Sequence, residues 1–258
     1  MTVHEFGDPS SPVIMLFPGT MCYWRGNFGR VIDELSKKFF VAAVAYTGFD
    51  EGDTESYTTM EDELEKIEKY IDDHYAGSIR AAYGCSLGGS FVAQLAARRH
   101  IHMRYGIIGS SDMDQAGKVK ASLMAAVMVK ATYNFIHTGA YKSKLMRRRF
   151  EKQMADPDPY NRAFVAMTGR DQYDMSFITK QSLKNQFQSD LTTPLPEHVD
   201  NGETEIHVFY ARKMGEKYLA RYKKYFKDPI IHEQDMRHEE LLGVHPNEWC
   251  ALVEKICL

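Results

Sequence analysis

The hydrophobic and polar residues of this 258-residue chain follow two different periods. Four short, mostly apolar runs occupy the first half of the chain, at residues 13–17, 39–46, 79–83 and 104–109. Such runs predict strands that are buried on both faces. Apolar residues spaced three or four apart follow the first three runs and predict helices at residues 27–38, 58–75 and 87–99. This alternation predicts right-handed crossovers and a mostly parallel sheet.

The pattern changes after residue 114. No strand is predicted between residues 115 and 188, where the spacing predicts helices at 119–136, 141–154, 160–168 and 176–187. Strands return at 205–210 and 230–233, with helices at 215–225 and 246–258. The prediction is an α/β core domain formed by residues 1–114 and 189–258, with residues 115–188 inserted as a helical cap or lid.

Composition and charge narrow the class of protein. Apolar residues make up 44% of the chain, charged residues 26%, and the net charge is −3. These values are ordinary for a globular protein, and they predict neither a nucleic acid nor a membrane as partner. A basic cluster at Arg147-Arg148-Arg149 is interpreted as a solvated helix face.

The cysteines and the lengths of the apolar runs indicate the cellular compartment in which the protein is expected. Four cysteines lie far apart without metal-ligand spacing, so reduced thiols and no metal site are expected. Residues 1–12 lack the pattern of a secretory signal, and no apolar run reaches the roughly 18 residues that span a bilayer. A cytoplasmic location is the expectation.

The candidate chemistry centres on Gly84-Cys85-Ser86-Leu87-Gly88, a G-x-S-x-G motif between a predicted strand and a predicted helix. A serine on so tight a turn adopts a strained backbone, and small residues on both sides let strand and helix approach. The start of the helix favours negative charge forming nearby. The alternative is a glycine-rich turn with an incidental serine.

A serine nucleophile needs a base, and His238 is the best-placed histidine. It follows the last predicted strand, so we expect it at the same sheet edge as Ser86. His245 lies beside a proline and is interpreted as a helix-entry residue, whereas His207 and His232 fall within predicted strands.

Three features in this order resemble the α/β-hydrolase family over nearly the whole chain. They are Phe17-Pro18-Gly19-Thr20, the serine motif followed by a helical insert, and Met236-Arg237-His238-Glu239-Glu240. The resemblance implies that Ser86 is the nucleophile and His238 the general base. It also implies an oxyanion hole formed by the backbone N–H groups of Thr20 and Leu87.

The chain departs from the family pattern in three places. Pro18-Gly19 replaces the usual His-Gly pair, and the short N-terminus implies that a first strand or two of the family sheet is missing. The third departure concerns the acid, because Met214 occupies its expected place. Glu216 is preferred as a replacement, and Asp112 and Asp114 are the alternatives.

The resulting hypothesis is a serine hydrolase of esterase, lipase-like or thioesterase type that acts on a small, largely apolar acyl substrate. Neither a metal nor an organic cofactor is implied. One alternative is a non-catalytic protein that binds a small ligand in the capped pocket, and another is an acyltransferase that uses the same site. The sequence leaves a homodimer open.

Overall fold

The computed structural model describes all 258 residues of the chain. Its centre is a sheet of seven strands in the order β1-β3-β2-β4-β5-β6-β7. The strands are β1 (Thr2–Phe6), β2 (Val13–Phe17), β3 (Phe40–Ala45), β4 (Ser78–Gly84), β5 (His102–Ile108), β6 (Glu205–Ala211) and β7 (Ile230–Gln234). All neighbouring pairs are parallel except β1 and β3. The predicted parallel sheet is therefore confirmed.

Strand β1 was not predicted. It pairs antiparallel with β3 at the edge of the sheet, and none of its five residues is fully buried. An edge strand with partly exposed faces has no continuous apolar run, so hydrophobic patterning gives little signal for it.

The parallel register brings the carboxyl ends of the central strands to one edge. Phe17 at the end of β2 lies opposite Gly84 at the end of β4, and Gly84 lies opposite Ile108 at the end of β5. The loops that begin at Pro18, Cys85 and Gly109 therefore start side by side. Loops at this edge are where open α/β sheets bind ligands.

Six helices flank or follow the sheet: α1 (Trp24–Leu35), α2 (Met60–Tyr75), α3 (Leu87–Arg98), α8 (Glu216–Tyr225), α9 (Glu240–Val244) and α10 (Pro246–Cys257). The start of α2 illustrates how the sequence fixes the beginning of a helix. The Thr59 hydroxyl accepts the Asp62 N–H at 3.1 Å, and three acidic residues occupy the first turn, where the helix dipole favours negative charge.

Four further helices lie between β5 and β6, with no strand among them: α4 (Lys118–Thr138), α5 (Lys144–Ala155), α6 (Pro159–Thr168) and α7 (Lys180–Thr192). Helix α4 packs against α7, and α6 packs against α1 and α9. Helix α7 continues four residues past residue 188, the predicted end of the insert. No helix combines the length and apolar character needed to cross a bilayer.

Candidate active site

Ser86 lies on a strained turn between β4 and α3. Its φ of 49° and ψ of −113° place a non-glycine residue in a sparsely populated region of backbone space. A Cβ on Gly84 would lie 2.1 Å from the Gly88 backbone, and a Cβ on Gly88 would lie 2.0 Å from the Phe17 carbonyl oxygen. Both glycines are therefore required sterically for the strand and the helix to meet at this serine.

The loop that carries Thr20 is held by side chains on both sides of it. The buried Asn27 side chain accepts the Gly19 N–H at 2.8 Å and donates to the Cys85 sulfur at 3.4 Å. The Met21 N–H donates to Gln186 of α7 at 2.7 Å. The N–H groups of Thr20 and Leu87 donate to no other residue, so both remain free for a ligand.

Ser86, Thr20 and His238 line one pocket of about 120 Å³. Its apolar wall includes Phe164 and Met167 of α6, one of the four helices between β5 and β6. The structure thus brings the predicted nucleophile, the predicted base and one predicted oxyanion donor to a single cavity. The other predicted donor, Leu87, directly follows Ser86 at the start of α3.

His238 lies in the connection between β7 and α9. Its backbone carbonyl accepts the Tyr160 hydroxyl at 3.0 Å, and its ring centroid lies 6.3 Å from that of Phe164. The adjacent Arg237 forms hydrogen bonds to Asp158 at 3.0 Å and to Glu240 at 2.8 Å. The start of α6 therefore holds the backbone on which His238 lies, while the imidazole itself forms no hydrogen bond or ion pair within the chain.

None of the three candidate acids forms a hydrogen bond or ion pair with His238. Glu216 begins α8 and has no such partner of its own. The Asp112 carboxylate accepts the Asp114 N–H at 3.1 Å, and Asp114 forms an ion pair with Arg221 at 2.5 Å. Ser86 and His238 therefore line one pocket, and no carboxylate orients the imidazole.

Glu239 is the main feature that the sequence analysis missed. It is only 4% exposed, and one carboxylate oxygen accepts the N–H groups of Ser86 at 2.8 Å and Ser110 at 2.7 Å. The other oxygen accepts the Tyr83 hydroxyl at 2.9 Å, and the Glu239 N–H donates to the Ser110 hydroxyl at 3.1 Å. A single buried carboxyl therefore joins the His238 loop to the serine turn.

The three donors leave neither oxygen of this buried carboxyl without a hydrogen-bond partner. Burial, followed by the charge of Glu239, raises the pKa of Tyr83 well above its ordinary value, so this hydroxyl remains a donor. Glu239 also has a left-handed backbone, with φ of 54°. The sequence offered no signal for this role, because an acidic residue after a strand is indistinguishable from a solvated loop residue without its three-dimensional neighbours.

Two thiols also line the pocket, those of Cys22 and Cys85. Burial, reinforced by the charge of Glu239, raises the pKa of Cys22 to about 12 and that of Cys85 well above its ordinary value. Thiols are nucleophilic as thiolates, so these two remain protonated and unreactive. No group of three or more His, Cys, Asp or Glu side chains is arranged to hold a metal ion.

Comparison with solved structures shows what the chain is similar to. A putative α/β hydrolase family protein from Desulfitobacterium hafniense superposes with a TM-score of 0.79 at 19% identity, covering 99% of each chain. An esterase from a marine microorganism gives a TM-score of 0.72 at 13% identity, covering 100% of this chain and 98% of the other. The enol-lactonase from Burkholderia xenovorans LB400 gives 0.67 at 15% identity, covering 98% and 95%.

No family model and no curated protein sequence matches the chain. Because the identities to the solved structures are below 20%, the similarity concerns the fold. The chemistry depends on the residues around Ser86.

Proposed function

Because this chain has the α/β-hydrolase fold, we propose that it is a serine hydrolase that cleaves a carboxylic ester or thioester of a small, largely apolar substrate. The observation that carries the proposal is the meeting of Ser86, on its strained turn, with His238 and Thr20 at one pocket. The esterase and the enol-lactonase among the similar structures support acyl chemistry as the reaction class.

The reaction proceeds in two halves. His238 takes the proton of the Ser86 hydroxyl as the serine oxygen attacks the acyl carbonyl, and it then returns the proton to the departing alcohol or thiol. Water next attacks the acyl-enzyme with His238 again as base, which releases the acid and restores Ser86. The N–H groups of Thr20 and Leu87 bind the oxyanion in both halves, and one such donor contributes about 3 kcal/mol in known enzymes.

Glu239 supports this chemistry in the absence of an acid that contacts His238. Its backbone adjoins His238, and its carboxylate accepts the N–H of Ser86, so it fixes base and nucleophile to each other. Its negative charge near the pocket favours the imidazolium that forms when His238 takes the proton. The same charge opposes the oxyanion, and the donors of Thr20 and Leu87 offset that repulsion.

The pocket sets the class of acyl group. A volume of about 120 Å³ suits a short acyl chain, and the walls formed by Phe164, Met167 and Met21 are apolar. Methionine side chains adapt to ligands of different shape. The substrate is therefore a small ester or thioester whose acyl part enters beneath α6.

One observation favours a second function. The His238 imidazole has no carboxylate partner to hold its tautomer, which is what a non-catalytic ligand-binding protein with this fold would show. An acyltransferase is a further alternative within the same chemistry. It would use the same residues to transfer the acyl group to an alcohol instead of water, and the ratio of ester to acid products distinguishes it from a hydrolase.

A fluorophosphonate probe separates the enzyme from the binding protein. We expect a mass adduct on Ser86 of the wild-type protein and none on Ser86→Ala. Folded wild-type protein that remains unlabelled would favour the binding function.

A further inference from the structure

Helix α4 presents an apolar stripe to the outside of the molecule. Val119, Leu123 and Val127 follow one another at a spacing of four residues and are 87%, 67% and 59% exposed. Met124 and Met128 widen the stripe and are about 40% exposed. Exposed apolar residues are normal when scattered singly, but a contiguous set marks an interaction surface.

The opposite face of the same helix is already occupied. Ala121, Ala125 and Ile136 are buried, and the helix packs against α7. Helix α4 is thus apolar on two faces, of which the protein covers only one. Packing within this chain does not require the outer stripe.

A basic groove adjoins the stripe. Lys130, Lys142, Lys180 and Lys184 line a groove of about 500 Å³ between α4, α7 and the turn before α5. None of these lysines forms an ion pair, and the Lys180 ammonium lies 5.1 Å from the Tyr133 ring centroid. Ala126 lines both this groove and the shallow depression beside Val119 and Leu123. The apolar stripe and the lysine groove therefore form one surface, called here the α4 surface.

Charge is concentrated in this part of the chain. Residues 115–155 contain nine lysines and arginines and one glutamate, a net charge of +8, whereas the whole chain carries −3. The rest of the molecule therefore carries −11. A local field of this kind attracts an anionic partner even though the overall charge of the protein is negative.

We propose that the α4 surface binds an anionic phospholipid bilayer. Val119, Leu123 and Val127 enter the boundary between headgroups and acyl chains, and the lysine groove receives lipid phosphates. A second copy of this chain fits less well, because a two-fold contact would bring two strongly positive surfaces together. Nucleic acid would satisfy the lysines but leave the apolar stripe unused.

Sedimentation of the protein with phosphatidylcholine vesicles, with and without phosphatidylserine, tests the proposal. We expect binding to the vesicles that contain phosphatidylserine, little binding to phosphatidylcholine alone, and weaker binding at high salt. Ser86→Ala should bind vesicles as the wild type does, because this proposal does not depend on the proposed activity.

Two variants and their controls identify the surface. We expect Leu123→Glu and Lys184→Glu each to reduce vesicle binding about tenfold or more. Leu258→Glu, at an equally exposed leucine, and Lys223→Glu, at an exposed lysine of α8, should bind as the wild type does. Thermal unfolding of each variant confirms that it is folded.

Three results would overturn the proposal. The first is a folded wild-type protein that ignores phosphatidylserine vesicles. The second is self-association that Leu123→Glu abolishes while vesicle binding stays unchanged. The third is duplex DNA binding that Lys184→Glu abolishes and Leu123→Glu leaves intact, without any binding to vesicles.

Discussion

At the scale of single residues, the main feature of the site is that no carboxylate contacts the His238 imidazole. We predict that His238→Ala lowers kcat/KM for acyl esters by about three orders of magnitude, because general-base catalysis contributes about that much. Glu216→Gln, Asp112→Asn and Asp114→Asn should each change it less than about threefold, since none contacts the imidazole. A large loss in one of these three would identify a triad acid that approaches His238 only when substrate is bound.

Substitution of Glu239 by glutamine separates the electrostatic role of its carboxylate from its structural role. We expect Glu239→Gln to fold, because an amide oxygen still accepts the N–H groups of Ser86 and Ser110 and the Tyr83 hydroxyl can turn to accept from the amide nitrogen. Removal of the negative charge should lower kcat, because the imidazolium that forms during the reaction loses a stabilising charge. An unchanged kcat would limit Glu239 to a structural role.

Glu239→Ala provides the structural comparison. It leaves the N–H groups of Ser86 and Ser110 without an acceptor, and a buried group of this kind costs about 1–3 kcal/mol. We therefore expect a loss of stability of several kcal/mol by urea unfolding, well beyond that of Glu239→Gln. Equal stability of the two variants would show that solvent satisfies these N–H groups.

Asp190 of α7 predicts how stability depends on pH. Burial, followed by the charge of Asp112, raises the pKa of its carboxyl from 3.8 to about 8, and its oxygen accepts the Ser90 hydroxyl at 3.0 Å. The folded protein then binds a proton that the unfolded chain releases, so this group lowers stability as the pH rises from about 4 to about 8. Asp190→Asn should gain melting temperature over the wild type across that range, whereas Asn at the exposed Asp33 should show no such gain.

At the scale of elements, two glycines of α1 have opposite environments. A Cβ on Gly26 would lie 2.3 Å from the backbone of Gly169 at the end of α6, whereas a Cβ on Gly29 would meet nothing within 4 Å. We predict that Gly26→Ala lowers stability by about 1–3 kcal/mol and raises KM, because α6 carries three pocket residues and must move away.

The matched variant at the other glycine should behave in the opposite way. Gly29→Ala should raise stability by up to about 1 kcal/mol, as alanine does in an exposed helix interior, and leave KM unchanged. A similar effect of both variants on KM would show that α6 does not depend on close contact with α1.

Prediction of elements succeeded where periodicity was strong. The buried runs at β2, β3 and β4 and the amphipathic spacing of α2 and α10 predicted those elements to within a few residues. The edge strand β1 was missed because its burial is partial. The bounds of α4 were predicted to within two residues, but the pattern did not show that one apolar face of this helix is exposed. Periodicity records which residues are apolar but does not show which apolar faces find a neighbour.

At the scale of the whole molecule, charge is distributed unevenly. A net charge of −3 led to the expectation of no membrane partner, but residues 115–155 alone carry +8. Partners respond to the local field within about 8–10 Å of a surface at physiological salt, so the total charge says little about one face. The proposed bilayer surface and the proposed active site both depend on helices between β5 and β6, α4 for the surface and α6 for the site.

The sequence by itself determined the alternation of strands and helices and the parallel sheet, because buried runs and helical spacing reflect local burial. It also predicted Ser86, His238 and Thr20 as neighbours, since all three follow strands whose carboxyl ends meet at one edge. Only the tertiary structure decided that Glu239 lies buried under the serine turn, that Glu216, Asp112 and Asp114 make no contact with His238, and that α4 leaves an apolar face uncovered. These depend on distances between residues far apart in the chain, which spacing along the sequence does not contain.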